Sequence, residues 1–188
     1  RQSPKLMRLA DAIYEHEKGK PSPYKCKLEQ DESCPNPLLL ESNDEEEKAE
    51  WIAKRVLEVK QKYGFVPSIA VFVADKQDAA ELEVLLKDDG RLENNGIDVK
   101  DCSSGDNLSA QDMLRIFPLD KVKGMEFEVA FFHNIDKALA GSSTDLMRRY
   151  LYVGISRATS HLAATFTEED GNEDIINYFN LEVKNWKV

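Results

Sequence analysis

The sequence is short of cysteine, of basic charge and of long apolar runs, and each shortage excludes something. Three cysteines in 188 residues, Cys26, Cys34 and Cys102, are too few and too irregularly spaced for a disulfide framework, which points to a reducing cytoplasm. Cys26 and Cys34 match no tight zinc spacing, and His16, His133 and His161 are scattered, so no metal site is expected. The formal net charge of -10 argues against a free-standing domain that grips nucleic acid by phosphate neutralisation alone. It leaves room for a few contacts made beside a partner domain. No apolar run approaches the roughly 20 residues that span a bilayer, and no membrane partner is expected. "RQSPKLMRLADAIYEHEKGK" lacks the apolar stretch and cleavage site of a signal peptide. It also opens without Met, as a piece of a longer protein would.

What is present suits one domain over residues 1–188, with 41% hydrophobic residues for a core. Leu6, Leu9, Ala10 and Ile13 follow a helical period after Ser3-Pro4. Residues 18–37 break every period and read as an irregular connector. "PLLLES" reads as a short strand. In "SNDEEEKAEWIAKRVLEVKQKYG", Ser42, Asn43 or Asp44 caps a helix whose apolar face is Trp51, Ile52, Val56 and Val59, and Gly64 ends it. "SIAVFVA" is a buried strand and "KQDAAELEVLLKDDG" a second amphipathic helix. "GIDVKD", "MLRIFPLD" and "VAFFHNID" are further strands. "STDLMRRYLYVGISRAT" reads as a helix, "HLAATFTE" as a strand, and "NEDIINYFN" as a closing helix. Strands alternating with helices predict a layered α/β fold with a mostly parallel sheet. Ligands of such sheets sit beyond the carboxyl ends of the strands, which directs attention to the loop after Phe117 and to the helix bearing Arg157.

Three stretches carry chemistry. In "DKVKGMEFEVAFF", Lys123-Gly124 leads to Glu126 at the entrance of a strand. Gly124 allows a turn or a close approach, and the Glu126 carboxylate suits hydroxyls such as those of a ribose. A turn before a strand also carries these residues for no functional reason. In "MRRYLYVGISRAT", Met147, Tyr150, Leu151, Gly154 and Ala158 share one helical face. Arg148, Tyr152, Ser156 and Thr159 take the other, with Arg157 at the margin, where its stem packs and its guanidinium reaches outward. The structural alternative pairs Arg157 with a carboxylate or a helix end. The third stretch is the start, "RQSPKLMRLADAI", with Arg1 before a helix.

Together these resemble the second RecA-like domain of superfamily 1 helicases of the UvrD/Rep/PcrA type. "RQSPKLMRLADAI" stands where that family has an "NYRS"-like arginine (motif IV), "VKGMEFEVAFF" where it has "KGLEF" (motif V), and "RRYLYVGISRATSHL" where it has "LLYVGITRA" (motif VI). The resemblance implies a RecA-like fold of the P-loop NTPase type. It implies that Arg157 is the arginine finger on the γ-phosphate of ATP and that Arg1 lies near the same phosphate. Glu126 would meet the ribose, Lys123 and Gly124 would shape the loop between nucleotide and DNA, and Tyr152 would position the helix. Lys76, opening the second amphipathic helix, and Ser156 are further candidates for contacting DNA.

The chain has no GxxxxGK[ST] loop and no magnesium-binding acidic motif. ATP and Mg2+ are therefore expected to be held mainly by an N-terminal RecA-like domain preceding Arg1, and this fragment alone is expected to bind neither tightly and to be inactive. Residues 2–122 leave little room for the family's accessory insertion, which is absent or reduced to 18–37. That absence counts against strand separation and leaves a translocase or nucleic-acid-dependent ATPase open. Where the family carries Thr and His before the motif V lysine, this chain has Pro118 and Asp120, and an Asp beside a phosphate backbone disfavours the usual contact with single-stranded or partly duplex DNA. The competing reading is a non-catalytic, nucleotide-responsive binding or scaffold module of a repair or defence complex. An unrelated α/β enzyme has little support: there is no G-x-S-x-G elbow, and His133 with Asp136 is a lone His-x-x-Asp.

Overall fold

The computed structural model describes residues 2–22, 34–105, 111–122, 124–139, 152–167 and 185–186. Its elements run α1 (Pro4–Lys18), β1 (Leu38–Glu41), α2 (Glu45–Tyr63), β2 (Ile69–Val73), α3 (Lys76–Asp89), α4 (Arg91–Asn94), β3 (Asp98–Asp101), β4 (Met113–Pro118), a 3-10 turn (Leu119–Lys121), β5 (Phe127–Phe132), α5 (Ile135–Leu139) and β6 (Ala158–Phe166). The six strands form one sheet in the order β1-β6-β5-β2-β4-β3, and every neighbouring pair is parallel. The parallel α/β architecture read from the alternation of strand and helix is therefore the one observed.

Local chemistry sets the helix ends. Ser3 caps α1 by accepting from the Leu6 amide, with Pro4 in the first turn, where a missing N–H costs nothing. Of the three cap candidates for α2, Asp44 takes the role, accepting from the amides of Glu46 and Glu47, and Gly64 stops the helix at φ 76°. Strand alternation divides the core. Ala70 and Phe72 face α1 with Phe117, Phe127, Phe132 and Leu162. Ile69, Val71 and Val73 face α2 and α3 with Ile52, Val56, Leu82 and Leu86.

Several boundaries differ from the sequence reading. The strand read through Asp120 ends at Pro118, because Leu119–Lys121 turn as a 3-10 helix into the crossover. The strand expected to run to Asp136 ends at Phe132, and α5 begins at Ile135. Asn134 turns the chain out of the sheet at φ 49°, with its amide held by the Thr165 hydroxyl. The helix expected to reach Thr159 stops at Ile155, and β6 starts at Ala158. Helical periodicity fits 158–160 well enough on paper, but β5 recruits them: Phe127 donates to the Arg157 carbonyl and pairs with Ala158. Sequence gave no notice of α4. The expected closing helix at 172–180, Cys26 and most of the 18–37 connector lie outside the described residues.

Trp186 packs into the α2 face and donates from its indole Nε1 to the Asn36 carbonyl at 2.9 Å. Its ring lies edge-on to His161 at 4.8 Å. His161 is 1% exposed, and its Nε2 has no hydrogen-bond partner among the described residues. Burial, helped by the Lys62 charge, pushes its pKa down to about 4 from 6.5. The unfolded chain therefore binds a proton that the folded one refuses. Stability is fully present above pH 6.5 and falls as pH drops towards about 4, by about 3 kcal/mol at the limit. Denaturant midpoints across that interval are expected to fall in the wild type and to flatten in His161→Phe; an unchanged slope in the variant would assign it to other groups.

Candidate functional site

The connection from β4 to β5 shapes the site. The two strands are parallel with β2 between them, yet only residues 119–126 join them. A six-residue strand is roughly 20 Å long, and eight residues of helix would rise only about 12 Å. After one 3-10 turn the chain must therefore run back extended across the sheet, and it does so with Leu119 and Val122 buried in the α1-side core. Gly124 turns at φ 83°, a region where a side chain would be strained. Glu126 thus arrives at the amino end of β5, exposed.

Arg157 stands beside it, at the amino end of β6, in the turn that follows a helical segment at 152–155. Its Nε donates to the Val153 carbonyl at 3.3 Å and its Nη1 to the Met125 carbonyl at 3.3 Å. Among the described residues it makes no ion pair, and Nη2 has no partner. The carboxylate half of the structural alternative is therefore not observed, while the helix-end contact is. Ser156 turns its hydroxyl inward to the Val153 carbonyl at 2.6 Å, which closes the same turn. The start of the chain meets this turn as well: Gln2 Nε2 donates to the Ile155 carbonyl at 2.6 Å, and the Ser3 amide donates to the Thr159 carbonyl at 2.7 Å. Tyr152 lies against the core and against the Tyr14 ring at 6.3 Å, tying the helical segment to α1.

The three stretches singled out in sequence thus converge at one place, but at the amino ends of β5 and β6 rather than beyond the carboxyl ends. The crossover moves Gly124 and Glu126 from one end of the sheet to the other. Lys76 does not join them: it opens α3 after the carboxyl end of β2 and is exposed. Pro118 ends β4 at that same opposite edge, followed by Asp120, which is paired with Lys121 at 3.0 Å. Arg1 and Lys123 lie outside the described residues.

Gly154 has a role the helical wheel could not reveal. A Cβ there would fall 2.0 Å from Cζ of Phe132, whose ring is buried. The absent side chain is what lets the helical segment settle onto β5. Gly154→Ala is expected to cost up to about 3 kcal/mol through overpacking, read as a drop in Tm, and Phe132→Leu in the same chain is expected to restore most of it.

The sequence reading also missed a buried polar network at the carboxyl edge. Lys48 is 0% exposed, and its Nζ donates to Glu45 Oε1 (3.0 Å), Asn134 Oδ1 (2.6 Å) and Thr167 Oγ1 (2.9 Å). His133 Nε2 lies 3.1 Å from Glu45 Oε2, and its Nδ1 contacts the Thr165 hydroxyl at 3.2 Å. The His133 hydrogen bond, with those of Asn134 and Lys48, holds the Glu45 carboxyl well below the usual carboxylate range against partial burial. Asp136 accepts from the Thr167 amide. His133 and Asp136 are thereby accounted for as ties between α2, β5 and β6. The only hint in sequence was a lysine inside an acidic helix start. Among the described residues no group of His, Cys, Asp and Glu gathers as a metal site, and no helix is long and apolar enough to cross a membrane.

Residues 113–165 match the family model of the UvrD-like helicase C-terminal domain. Among solved structures, the chain resembles the C-terminal domain of a possible DNA helicase from Lactobacillus plantarum WCFS1, with a TM-score of 0.63 at 15% identity over 89% of this chain and 86% of that one. It also matches an arterivirus nonstructural protein 10 helicase solved with DNA (TM-score 0.44, 14% identity, 87% of this chain and 30% of that one) and a T. fusca Cas3 with ADP (TM-score 0.41, 10% identity, 77% and 20%). A search of curated proteins finds no match. Over β4, β5, the turn at Arg157 and β6, the chain is similar in sequence to the UvrD-like helicase C-terminal domain, and its parallel sheet with flanking helices has the same fold as the L. plantarum C-terminal domain.

Proposed function

We propose that this chain is the C-terminal motor domain of an ATP-dependent DNA helicase or translocase. In this reading it completes a nucleotide site on an N-terminal RecA-like domain that also holds Mg2+. The observation that carries the reading is the setting of Arg157. A guanidinium anchored by two backbone carbonyls, with no carboxylate to neutralise it among the described residues, keeps its charge for an external anion. As the γ-phosphoryl group leaves ADP for water, charge builds on its equatorial oxygens, and a rigid arginine fork stabilises that build-up. Glu126, one residue from the carbonyl that holds Nη1, accepts from the ribose hydroxyls. Arg1, adjacent to the docked Gln2, and Lys123, beside the Gly124 turn, complete the set.

DNA belongs at the opposite edge in this reading, along Lys76 and the turn after β4, so that crossover and sheet connect the two ligands mechanically. Ser156 supports DNA contact poorly, because its hydroxyl is spent on Val153. Asp120 at the DNA edge favours the second reading, a nucleotide-responsive binding or scaffold module without turnover. Steady-state ATP hydrolysis by the full-length protein, with and without single-stranded DNA, separates the two. Turnover stimulated by DNA is expected; none, from a folded protein, would leave the scaffold reading.

A further inference from the structure

The sheet is irregular beside Arg157. Phe127 pairs with Ala158 but Val129 with His161, so two residues of β6, Thr159 and Ser160, stand opposite Glu128 alone. Phe127 and Val129 would share a face in a regular strand, yet Phe127 packs in the α1-side core and Val129 in the α2-side core. Bulges are rare between parallel strands and gather next to functional sites, where they re-aim a side chain. This one is gripped from the α2 side. Ser160 Oγ lies 3.1 Å from the Tyr63 hydroxyl and 2.9 Å from His161 Nδ1. Trp186 closes over the His161 ring and is itself pinned at two points. Its amide donates to Glu58 Oε2 at 3.2 Å and its indole to the Asn36 carbonyl at 2.9 Å.

We propose that this bulge aims Arg157, and that Ser160 and Trp186 are positioning residues that hold it from the α2 face of the sheet; the inference rests on the nucleotide reading of Arg157. The two anchors of the guanidinium belong to different strands. Nη1 is held by Met125, in the lead-in to β5, and Nε by Val153, in the lead-in to β6. The direction of the fork is therefore set by how far the two lead-ins are offset along each other. The bulge fixes that offset, because it follows immediately on the bond from the Phe127 amide to the Arg157 carbonyl at 2.8 Å. Both of its residues are tied. From the α1 side, the Ser3 amide donates to the Thr159 carbonyl at 2.7 Å. From the α2 side, Ser160 is held through Tyr63 and His161, and Trp186 keeps the His161 ring in place. Removing the Trp186 ring or the Ser160 hydroxyl releases one of the two grips, and the offset relaxes.

The test combines steady-state ATP turnover by the full-length protein with the Arg157 Nε–H NMR signal of the 188-residue chain. Trp186→Ala is expected to lower kcat by up to about a hundredfold, the effect of an ångström-scale misplacement, with KM for ATP little changed. Trp186→Phe is expected to restore most of that turnover. Ser160→Ala removes one hydroxyl at a half-buried position and keeps the core. It is expected to give a smaller drop in kcat and to shift the Arg157 signal, and it decides the matter if Trp186→Ala unfolds. Added to Arg157→Ala, neither substitution is expected to lower turnover further, because both act through the group already removed. An unmoved Arg157 signal in Ser160→Ala, or equal losses with and without the guanidinium, would overturn the inference and leave the nucleotide reading standing. A moved signal in a protein whose wild type does not turn over ATP would support the aiming of Arg157 and overturn the nucleotide reading.

Discussion

Arg157→Ala in the full-length protein is expected to lower ATP turnover by about 10³–10⁵-fold, the worth of an arginine supplied to a transferring phosphoryl group. Folding is expected to change little, because what is lost is two hydrogen bonds to carbonyls at a half-buried turn, about 1 kcal/mol each. Arg157→Lys sharpens the test. A lysine keeps the charge but cannot reach the Met125 carbonyl and a phosphate oxygen at once with a rigid fork, so most of the loss is expected to persist. Comparing turnover and thermal unfolding of the two variants decides the matter. If Arg157→Ala unfolds, the residue serves as the clamp between the 152–155 segment and β5. If it folds and turns over normally, the finger lies elsewhere.

The second large effect is expected at Lys48. Lys48→Met keeps the volume of the stem and removes the ammonium, leaving Asn134 Oδ1 and the Thr167 hydroxyl without their donor and the adjacent Glu45 charge without its cation. Leaving buried acceptors without their donor costs about 1–3 kcal/mol, which denaturant unfolding reads directly. Lys48→Met together with Glu45→Gln is expected to recover part of this, because the uncompensated charge is gone. A single variant as stable as the wild type would mean that water reaches the site and substitutes for the ammonium. The network also has a pH signature. Glu45 titrates lower in the folded chain than in the unfolded one, so its contribution is present above the ordinary carboxylate pKa and drains away as pH falls below it. It begins where the effect of His161 is already well advanced.

Much of this was legible in the residues. The continuous apolar run at 69–73 announced a strand buried on both faces, and Asp44 and Gly64 announced the two ends of α2. The meeting of Glu126 with Arg157 followed from resemblance rather than from any local pattern, since nothing in a linear sequence says which end of a strand a crossover returns to. The rule that ligands gather at carboxyl ends points to the edge opposite the one where Glu126 and Arg157 meet. It describes a domain that holds its own phosphate, whereas the phosphate proposed here is held by a partner. The Lys48 network was invisible for a different reason: a lysine beside three glutamates reads as solvated helix until β5 and β6 deliver Asn134 and Thr167 to it. Gly154 read as one more small residue on a helical face, because the Phe132 ring that requires it comes from another element.

The strand order has a consequence for how the chain is made. β1 has a single neighbour, β6, and Leu38 pairs with Ala163. α1 also meets the sheet at β6, through Ser3 and Thr159. On a ribosome, the first helix and the first strand therefore emerge long before the surface that covers them, and they keep their apolar faces open until the last strand arrives. Pairings this distant in sequence are slow to form and exposed to aggregation while they wait. The turn at Arg157 closes in the same event, so a nascent chain lacks the edge where Glu126 and Arg157 meet until the sheet is complete.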